Sequence, residues 1–267
     1  LIRYPWDIPE YNNYLVKGNK NFIVKEMDFE ELTRGVYIRG SDNYLSSKAL
    51  FDAREGPIIL DKFKEIDGYA VIKGPVVIRE GTYVFGGKIS NSIIGPVCKV
   101  GGEVADSLIN GYSNMQHHSY IGHSYIGEWV NIGAGTVFSD LKNTYGTIRM
   151  EWNRKKYDTG SIKVGSFVGD HVKISINTSI FAGKLIGCFS HLYGLVTDNV
   201  PPFTIWDGYN KKAYVFEVNK AIDVAKRVYQ RRSVRMSRYE ARWYRRIFEL
   251  TQEYRNMYNV MKGNIRF

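Results

Sequence analysis

The chain has 267 residues, a formal net charge of +10 and a hydrophobic fraction of 44%. This length suffices for one large domain or two small ones with a buried core. No apolar run approaches the ~18 residues of a membrane-spanning helix, so no transmembrane segment is expected. The two cysteines, Cys98 and Cys188, are expected to be packed apolar groups rather than a disulfide, which indicates a reducing, cytoplasmic location.

Residues 1–56 form a first segment that is irregular, aromatic and polar. It opens with Tyr4-Pro5-Trp6-Asp7 and continues with short apolar clusters such as Phe22-Ile23-Val24. We expect either a small mixed α/β cap or the tail of a domain that lies upstream.

Aliphatic side chains recur at every sixth position within residues 57–205. A helix repeats near every 3.6 residues and an exposed strand every 2, so a sustained period of six fits neither. It is typical of a β-solenoid whose coils are triangles of three short parallel strands, with one inward side chain per face. A β-sandwich would instead show period-2 alternation. The two best runs are Leu60, Ile66, Ile72, Ile78 and Val84, and then Val168, Ile174, Ile180, Ile186 and Leu192.

Two polar stretches interrupt this period. We predict that the chain leaves the regular coil at residues 103–120 and again at residues 138–162. The second stretch contains Glu151-Trp152-Asn153-Arg154-Lys155-Lys156, which is too polar for a buried strand and predicts a protruding loop. Pro201-Pro202 is expected to end the solenoid.

Residues 206–267 form a third, helical segment. Ser237 and Glu240 have the spacing of a capping box that opens a helix. Apolar residues at helical spacing predict packing faces, and terminal helices commonly cover the unpaired strand edges of a solenoid. The predicted faces contain Ala221, Val224, Ala225 and Val228, and then Trp243, Ile247, Leu250, Tyr254 and Met257.

Most of the excess positive charge lies in this last segment, with thirteen Lys/Arg and five Asp/Glu from Glu217 to Phe267. Three interpretations stay open. The arginines could form a solvated face over the solenoid, attract a phosphate-bearing ligand, or bind nucleic acid non-specifically. No recognised nucleic-acid-binding module accompanies them, so nucleic acid is the least favoured partner.

Three of the five histidines lie within Asn114-Met115-Gln116-His117-His118-Ser119-Tyr120-Ile121-Gly122-His123-Ser124. Together with Asn131-Ile132-Gly133-Ala134-Gly135-Thr136, this stretch resembles the acetyltransferase half of bifunctional glucosamine-1-phosphate acetyltransferase/N-acetylglucosamine-1-phosphate uridyltransferase. The archaeal, sugar-nucleotidyltransferase-like branch is the most similar, and the likeness spans about residues 57–205. The resemblance implies a left-handed parallel β-helix, an exception to right-handed crossovers. It also implies a homotrimer that binds acetyl-CoA between neighbouring coils.

The resemblance further implies roles for individual residues. His117 matches the general base that takes a proton from the attacking amine, a task suited to a group that titrates near neutral pH. Tyr120 and Asn131 match residues that contact the amino sugar phosphate, and a main-chain amide near Ala134 would polarise the thioester. The implied site therefore comprises His117 as the base, Glu103, Tyr120, Asn131 and Lys142 at the substrate, and Gly133, Ala134 and Gly135 at the cofactor.

These matches predict an acetyl-CoA-dependent N-acetyltransferase acting on an amino sugar 1-phosphate, with glucosamine-1-phosphate as the expected acceptor, in UDP-N-acetylhexosamine synthesis. No metal is expected to take part in the acyl transfer. Tyr4-Pro5-Trp6-Asp7 is similar to the segment that follows a nucleotidyltransferase domain in such proteins. The Gly-rich nucleotide loop of that domain does not occur in this sequence, so we expect no nucleotidyl transfer by this chain alone.

Three positions depart from the family's pattern. His123 stands where Asp is usual, Ala105 where a Lys often contacts the phosphate, and Asp140 opens a loop that is usually Asn-Tyr-Asp-Gly. These departures leave open a non-catalytic trimeric sensing or assembly module. His118 and His123 also have the spacing of two zinc ligands in γ-class carbonic anhydrases, which share this fold; zinc there needs a third histidine, and none precedes residue 117.

Overall fold

A computed structural model describes residues 2–263 of the chain. A helix and an antiparallel strand pair come first, a long parallel β-helix follows, and three helices come last. The helices are α1 (Asp7–Glu26), α2 (Val218–Gln230), α3 (Arg238–Leu250) and α4 (Gln252–Met257). The strands are β1 (Glu30–Thr33), β2 (Val36–Arg39), β3 (Tyr44–Leu45), β4 (Leu50–Asp52), β5 (Ile58–Asp61), β6 (Glu65–Ile66), β7 (Ala70–Ile78), β8 (Tyr83–Val84), β9 (Gly87–Ile94), β10 (Lys99–Val100), β11 (Glu103–Ala105), β12 (Leu108–Ile109), β13 (Asn114–Met115), β14 (Tyr120–Gly122), β15 (Tyr125–Ile126), β16 (Asn131–Ile132), β17 (Val137–Phe138), β18 (Arg149–Trp152), β19 (Lys155–Asp158), β20 (Phe167–Val168), β21 (Lys173–Ile174), β22 (Ser179–Ile180), β23 (Leu185–Ile186), β24 (His191–Tyr193), β25 (Leu195–Val196), β26 (Thr204–Asp207) and β27 (Lys212–Val215).

Three faces of short parallel strands make up the β-helix. Face 1 is a 10-stranded sheet in the order β27-β26-β24-β21-β16-β13-β10-β8-β6-β3, closed at one end by the antiparallel pair of β26 and β27. Faces 2 and 3 are joined into one 15-stranded sheet because β7 and β9 run through the corner between them. Face 2 contains β4, β11, β14, β17, β22 and β25, and face 3 contains β2, β5, β12, β15, β20 and β23.

The aliphatic residues of period six point inward and form the core. All ten predicted positions are at most 3% exposed. Equivalent residues stack between coils, as Ile126 does on Val168 and Val168 on Ile186. Burying each such side chain stabilises the fold by roughly 1.5–3 kcal/mol. The predicted fold class is confirmed: a left-handed parallel β-helix of hexapeptide repeats with C-terminal α-helices and a small N-terminal mixed segment.

The interruption predicted at residues 103–120 is wrong. This stretch forms a regular coil made of β11, β12 and β13, in which Val104, Ile109 and Met115 point inward and are at most 2% exposed. The spacing between inward residues shortens after Val100, so the period is broken although the coil continues. The later interruption is confirmed, because the chain leaves the coil after β17, forms the antiparallel hairpin β18–β19, and rejoins the coil at β20.

A stack of aromatic rings lines the corner between faces 3 and 1. Five residues occupy equivalent positions there, each with a left-handed φ of 54° to 62°. The helices pack on this stack: the ring of Tyr229 in α2 lies 4.3 Å from that of Trp129, and the ring of Tyr244 in α3 lies 4.8 Å from that of Phe189. The helices therefore lie along the side of the last coils and not across their end as expected. The stack consists of Tyr112, Trp129, His171, Phe189 and Phe203.

The capping box predicted at the start of α3 is confirmed. The backbone N–H of Glu240 donates to Ser237 Oγ at 3.1 Å, and that of Ser237 donates to Glu240 Oε2 at 2.7 Å. The apolar stripe predicted in α3 is wrong at Trp243 and Leu250, which are 65% and 61% exposed. The packed face of α3 contains the predicted Ile247 together with Tyr244 and Phe248. The buried residues of α2 are Ala221, Ile222, Ala225 and Tyr229, two of which were predicted.

The N-terminal segment contains one helix, consistent with the expected mixed α/β segment, but the sequence did not predict its bounds or its contacts. α1 packs on face 3, where Val16 is buried together with Ile59 and Val77. Parallel pairing begins before residue 57, because β2 pairs with β5, β3 with β6 and β4 with β7. Residues 36–52 thus form a first coil. Within residues 2–263, no helix is both long enough and apolar enough to cross a membrane.

Candidate active site

His117 lies at the corner between faces 1 and 2, in the turn that joins β13 to β14. On either side of this turn Met115 and Ile121 point into the core, and both are at most 1% exposed. The residues between them span the corner, and its outward members His117 and His118 are exposed. Neither imidazole has a hydrogen-bond or ion-pair partner among residues 2–263. The His117 ring is therefore available to a ligand.

The three predicted cofactor residues occupy the same corner one coil further on. The Gly135 N–H donates to the His118 carbonyl oxygen at 2.7 Å, which ties the two turns together. The Asn177 N–H, from the following coil, donates to the Ala134 carbonyl oxygen at 2.8 Å. The Ala134 N–H itself has no acceptor in the described part of the chain. The corner thus presents an unpaired backbone donor one turn away from His117.

Close packing explains two of the glycines at this corner. A Cβ on Gly133 would lie 2.5 Å from the backbone nitrogen of Ile176, closer than side chains tolerate. Gly135 has a φ of +75°, a left-handed conformation that glycine adopts at least cost. Both glycines therefore have a backbone role that is independent of any ligand.

Three predicted substrate residues lie around the same corner. Tyr120 begins β14 on face 2, and Asn131 begins β16 on face 1, where its side chain is exposed. Glu103 precedes Tyr120 in register, and its carboxylate accepts a hydrogen bond from Lys88 Nζ at 2.9 Å. The predicted base, cofactor residues and most of the substrate residues are therefore gathered along one edge of the β-helix.

Lys142 lies apart from this corner. It belongs to the loop after β17, at the other edge of face 2, and its Nζ donates to the Thr147 carbonyl oxygen. With Phe181 and Lys184 it lines a cavity of about 830 Å³. A single chain does not bring Lys142 together with His117.

A polar cluster occupies the edge between faces 2 and 3. His123 Nδ1 lies 2.7 Å from Asp140 Oδ2, and His123 Nε2 lies 3.7 Å from Asp106 Oδ2. The Tyr120 hydroxyl donates to the same Asp140 oxygen at 3.1 Å. Sequence reasoning marked His123 and Asp140 only as separate departures and missed Asp106. Their joint departure from the pattern was the available signal that the two side chains meet.

The cluster fixes the protonation of its members. Burial alone would raise the pKa of the Asp140 carboxyl, but the hydrogen bond and charge of His123 outweigh it, so the pKa is lowered. Burial and the Asp140 charge raise the pKa of the Tyr120 phenol. Asp140 is therefore an ionised acceptor at neutral pH, and Tyr120 stays a neutral hydroxyl that is oriented by it.

Exposed apolar side chains next to the His117 corner were not predicted. Ile176 is 61% exposed, Val137 44% and Leu195 39%. Val137 follows Tyr120 in register on face 2, and Leu195 lies two coils further along the same column. The period of six marks only inward residues, so it gave no signal for these outward ones. We call Val137, Ile176 and Leu195 the apolar patch.

Among residues 2–263, no three His, Cys, Asp or Glu side chains are arranged to hold a metal ion. The two histidines with zinc-ligand spacing have different surroundings, since His118 is exposed and His123 lies between two carboxylates. His171 and His191 belong to aromatic packing beneath the C-terminal segment, against Phe189 and Phe216.

Several curated proteins are similar to this chain. A bifunctional sugar-1-phosphate nucleotidylyltransferase/acetyltransferase of Sulfurisphaera tokodaii is 32% identical over 145 residues, which cover 48% of this chain and 36% of that protein. The bifunctional protein GlmU of Thermotoga petrophila is 32% identical over 145 residues, or 54% of this chain and 27% of that protein. The GlmU of Methanocaldococcus jannaschii is 28% identical over 193 residues, or 68% of this chain and 40% of that protein. These relatives confirm the resemblance that was drawn from the histidine motif.

The chain spans between 27% and 40% of the length of these relatives. An activity of the whole relatives can therefore only be proposed for this chain. No family model matches the chain. Among solved structures, the UDP-N-acetylglucosamine acyltransferase of Francisella novicida is similar with a TM-score of 0.42 and 15% identity, covering 82% of this chain and 78% of that one.

Proposed function

We propose that the chain is an acetyl-CoA-dependent N-acetyltransferase that acts on an amino sugar 1-phosphate, with glucosamine-1-phosphate as the acceptor. The observation that carries this proposal is the His117 corner, where an exposed imidazole lies one turn away from the unpaired Ala134 N–H. A general base and an oxyanion donor on adjacent coils supply the two kinds of assistance that acyl transfer to an amine needs. The acetyltransferase relatives support the same class of reaction.

The proposed reaction moves an acetyl group from sulfur to nitrogen. The acceptor amine attacks the thioester carbonyl carbon while His117 takes a proton from that nitrogen. The tetrahedral intermediate carries its negative charge on the former carbonyl oxygen, which the Ala134 N–H would stabilise. The C–S bond then breaks, and the imidazolium returns its proton to the departing CoA thiolate. A positioned base contributes roughly 10²–10⁴-fold in rate, and an oxyanion donor roughly 10²–10³-fold.

Tyr120, Asn131 and Glu103 are proposed to hold the sugar. The hydrogen bond from Tyr120 to Asp140 fixes the phenol on face 2. The exposed Asn131 amide offers both donors and an acceptor to sugar hydroxyls. Because Lys142 lies at the far edge of face 2, we propose that it reaches the substrate of a neighbouring subunit.

The chain is proposed to work as a homotrimer. In a single chain the His117 corner points outward, so a ligand there needs a second wall. The apolar patch lies along the same edge, on the coils that follow. Exposed patches of this kind mark contact surfaces, and burying them stabilises association by roughly 25 cal/mol per Å². A second copy seated on the patch would close a groove over His117 and Ala134.

Mass-spectrometric detection of product tests the proposal. The folded chain is incubated with acetyl-CoA and glucosamine-1-phosphate, galactosamine-1-phosphate or glucosamine. The expected result is N-acetylated sugar 1-phosphate that accumulates at the same rate as free thiol. A folded trimer that acetylates none of the three would overturn the proposal and favour the non-catalytic module that Ala105 and Asp140 leave open.

A further inference from the structure

Face 1 carries positive charge beside the His117 corner. Arg232 lies just after the end of α2, and its Nη2 donates to Asn114 Oδ1 at 2.5 Å. Asn114 begins β13, the strand that leads directly into the turn containing His117. A side chain from the C-terminal segment thus reaches the coil of the proposed active site.

Aromatic packing fixes the position of Arg232. Tyr229, in the last turn of α2, is 4% exposed, and its ring lies 4.3 Å from that of Trp129, the corner residue before β16. The Tyr229 hydroxyl donates to Glu240 Oε1 at 2.9 Å, which ties α2 to α3. The end of α2 is therefore held over face 1, and Arg232 approaches Asn114 from an anchored backbone.

Most of the Arg232 donors are unused. A guanidinium has five N–H donors, and within residues 2–263 its side chain donates only to Asn114. It has no carboxylate partner in the same part of the chain. Burial and then the charge of Arg231 lower the pKa of Arg232, although an arginine stays charged. A partly buried cation without a counter-charge is unfavourable, so this arrangement indicates an anionic ligand.

Lys99 adds a second unpaired charge. It lies in register with Asn114 on the adjacent strand, about 4.8 Å away along the hydrogen-bonding direction. Its Nζ lies 5.5 Å from the centroid of the Tyr83 ring, and no acidic side chain pairs with it in the described chain. Asn131 follows Asn114 on the other side. Lys99, Asn114 and Asn131 therefore form a column on three coils, with Arg232 over its centre.

We propose that Arg232, together with Lys99 and Asn114, binds the phosphate group of the acceptor. The planar guanidinium matches two oxygens of a phosphate monoester, and the ammonium adds a point charge. Because Asn131 is a proposed sugar-binding residue one coil away, a phosphate held here leaves the sugar beside the His117 corner. The inference rests on the proposed function for the identity of the acceptor. It makes Arg232 the residue that selects phosphorylated over unphosphorylated amino sugars.

Titration calorimetry of the full chain tests this site with glucosamine-1-phosphate, inorganic phosphate, glucosamine and CoA. Arg232→Gln is expected to weaken the first two ligands by about 10- to 100-fold, the effect of a lost charge-assisted hydrogen bond. Arg232→Lys should recover part of the affinity. Affinities for glucosamine and CoA should change by less than about two-fold. Arg242→Gln, which alters an exposed arginine of α3, is the matched control and should behave like the parent.

Equal affinity of the parent and Arg232→Gln for glucosamine-1-phosphate would overturn the inference, as would a parent that binds neither phosphate ligand. If Arg232→Gln weakens only the binding of CoA, Arg232 contacts the CoA phosphates, and its proposed contact with the acceptor phosphate is refuted. Should Arg232→Gln fail to fold, Lys99→Gln provides the same readout. These titrations need no turnover, so Arg232-dependent binding by a chain that acetylates nothing would uphold this site and refute the proposed reaction.

Discussion

His123 Nδ1 lies 2.7 Å from Asp140 Oδ2, and this pair joins the corner after β14 to the loop after β17. The two side chains are 25% and 11% exposed. The Tyr120 hydroxyl donates to the same carboxylate. The pair therefore links a stabilising contact to the orientation of a proposed substrate residue.

Asp140→Asn is expected to lower the free energy of unfolding by roughly 1–3 kcal/mol at pH 7, because it removes the closer of the two carboxylates beside His123. The folded-state pKa of Asp140 is lowered. Its contribution is therefore present above the ordinary carboxyl pKa, about 4, and is lost as the pH falls through the lower folded-state value. Urea unfolding at pH 7 and pH 3 should show a large difference from the parent at pH 7 and a smaller one at pH 3.

Asp223→Asn is the control for this experiment, because Asp223 is exposed on α2. It should stay within about 0.5 kcal/mol of the parent at both pH values. If Asp140→Asn is as stable as the parent at pH 7, the His123–Asp140 pair contributes nothing to the free energy of unfolding.

His171 is expected to make the fold sensitive to acid. Burial, and then the charge of Lys173, lowers the pKa of His171 to about 3, whereas an unfolded histidine titrates near 6.5. Below pH 6.5 the unfolded chain takes up a proton that the folded chain does not. Stability therefore falls as the pH drops from 6.5 towards 3, by about 2 kcal/mol at pH 5 from this residue alone.

His171→Phe is expected to remove this part of the pH dependence, since phenylalanine can continue the stack on Phe189. Urea unfolding at pH 7 and pH 5 measures the change. Burial lowers the pKa of His191 to about 4, so this residue contributes to the pH dependence in the same range. His191 is unchanged in the variant, and its contribution therefore remains. His118→Ala, at an exposed position, should keep the parental dependence. If His171→Phe loses as much stability between pH 7 and pH 5 as the parent does, His171 is not the source of this pH dependence.

Gly133→Ala is expected to destabilise the corner by roughly 1–3 kcal/mol. The added Cβ would lie 2.5 Å from the Ile176 backbone nitrogen, and a backbone neighbour cannot move aside as a side chain end can. Thermal unfolding measures the effect. Gly18→Ala in α1 is the control, because no atom lies within 4 Å of its added Cβ, and it should gain about 0.5–1 kcal/mol. A neutral Gly133→Ala would argue against tight packing between these turns.

Charges placed in the apolar patch are expected to separate the subunits. Sedimentation of the parent should give a trimer, and the double variant Val137→Glu/Ile176→Glu should give a monomer with an unchanged circular dichroism spectrum. The cause is the desolvation of two carboxylates in a contact that is otherwise apolar. Tyr145→Glu, at a 71% exposed loop position, should stay trimeric. A monomeric parent, or a trimeric double variant, would contradict the proposed use of the patch.

The core could be predicted because a β-helix converts one sequence period directly into one inward ladder, as from Val168 to Leu192. The prediction failed at residues 103–120, where the fold tolerates coils of unequal length. The bounds of α1 could not be predicted either, because its contact with face 3 depends on packing that leaves no short period in the sequence.

The candidate corner could be predicted for a related reason. One turn of the coil places Asn114 beside Asn131, so a motif that is continuous in sequence becomes a stack of adjacent turns. The approach of Arg232 to Asn114 joins residues 118 positions apart and depends on how α2 packs on Trp129. Contacts between residues so distant in sequence leave no local sequence pattern from which they could be predicted.

The role of His117 as the general base is tested most directly by the rate of thiol release from acetyl-CoA with glucosamine-1-phosphate, measured for the parent, His117→Ala and His118→Ala near pH 7. We expect kcat/KM to fall by about 10²–10⁴-fold in His117→Ala, with substrate binding and unfolding midpoint unchanged, and to stay parental in His118→Ala. A parental kcat/KM in His117→Ala would contradict the role of His117 as the base.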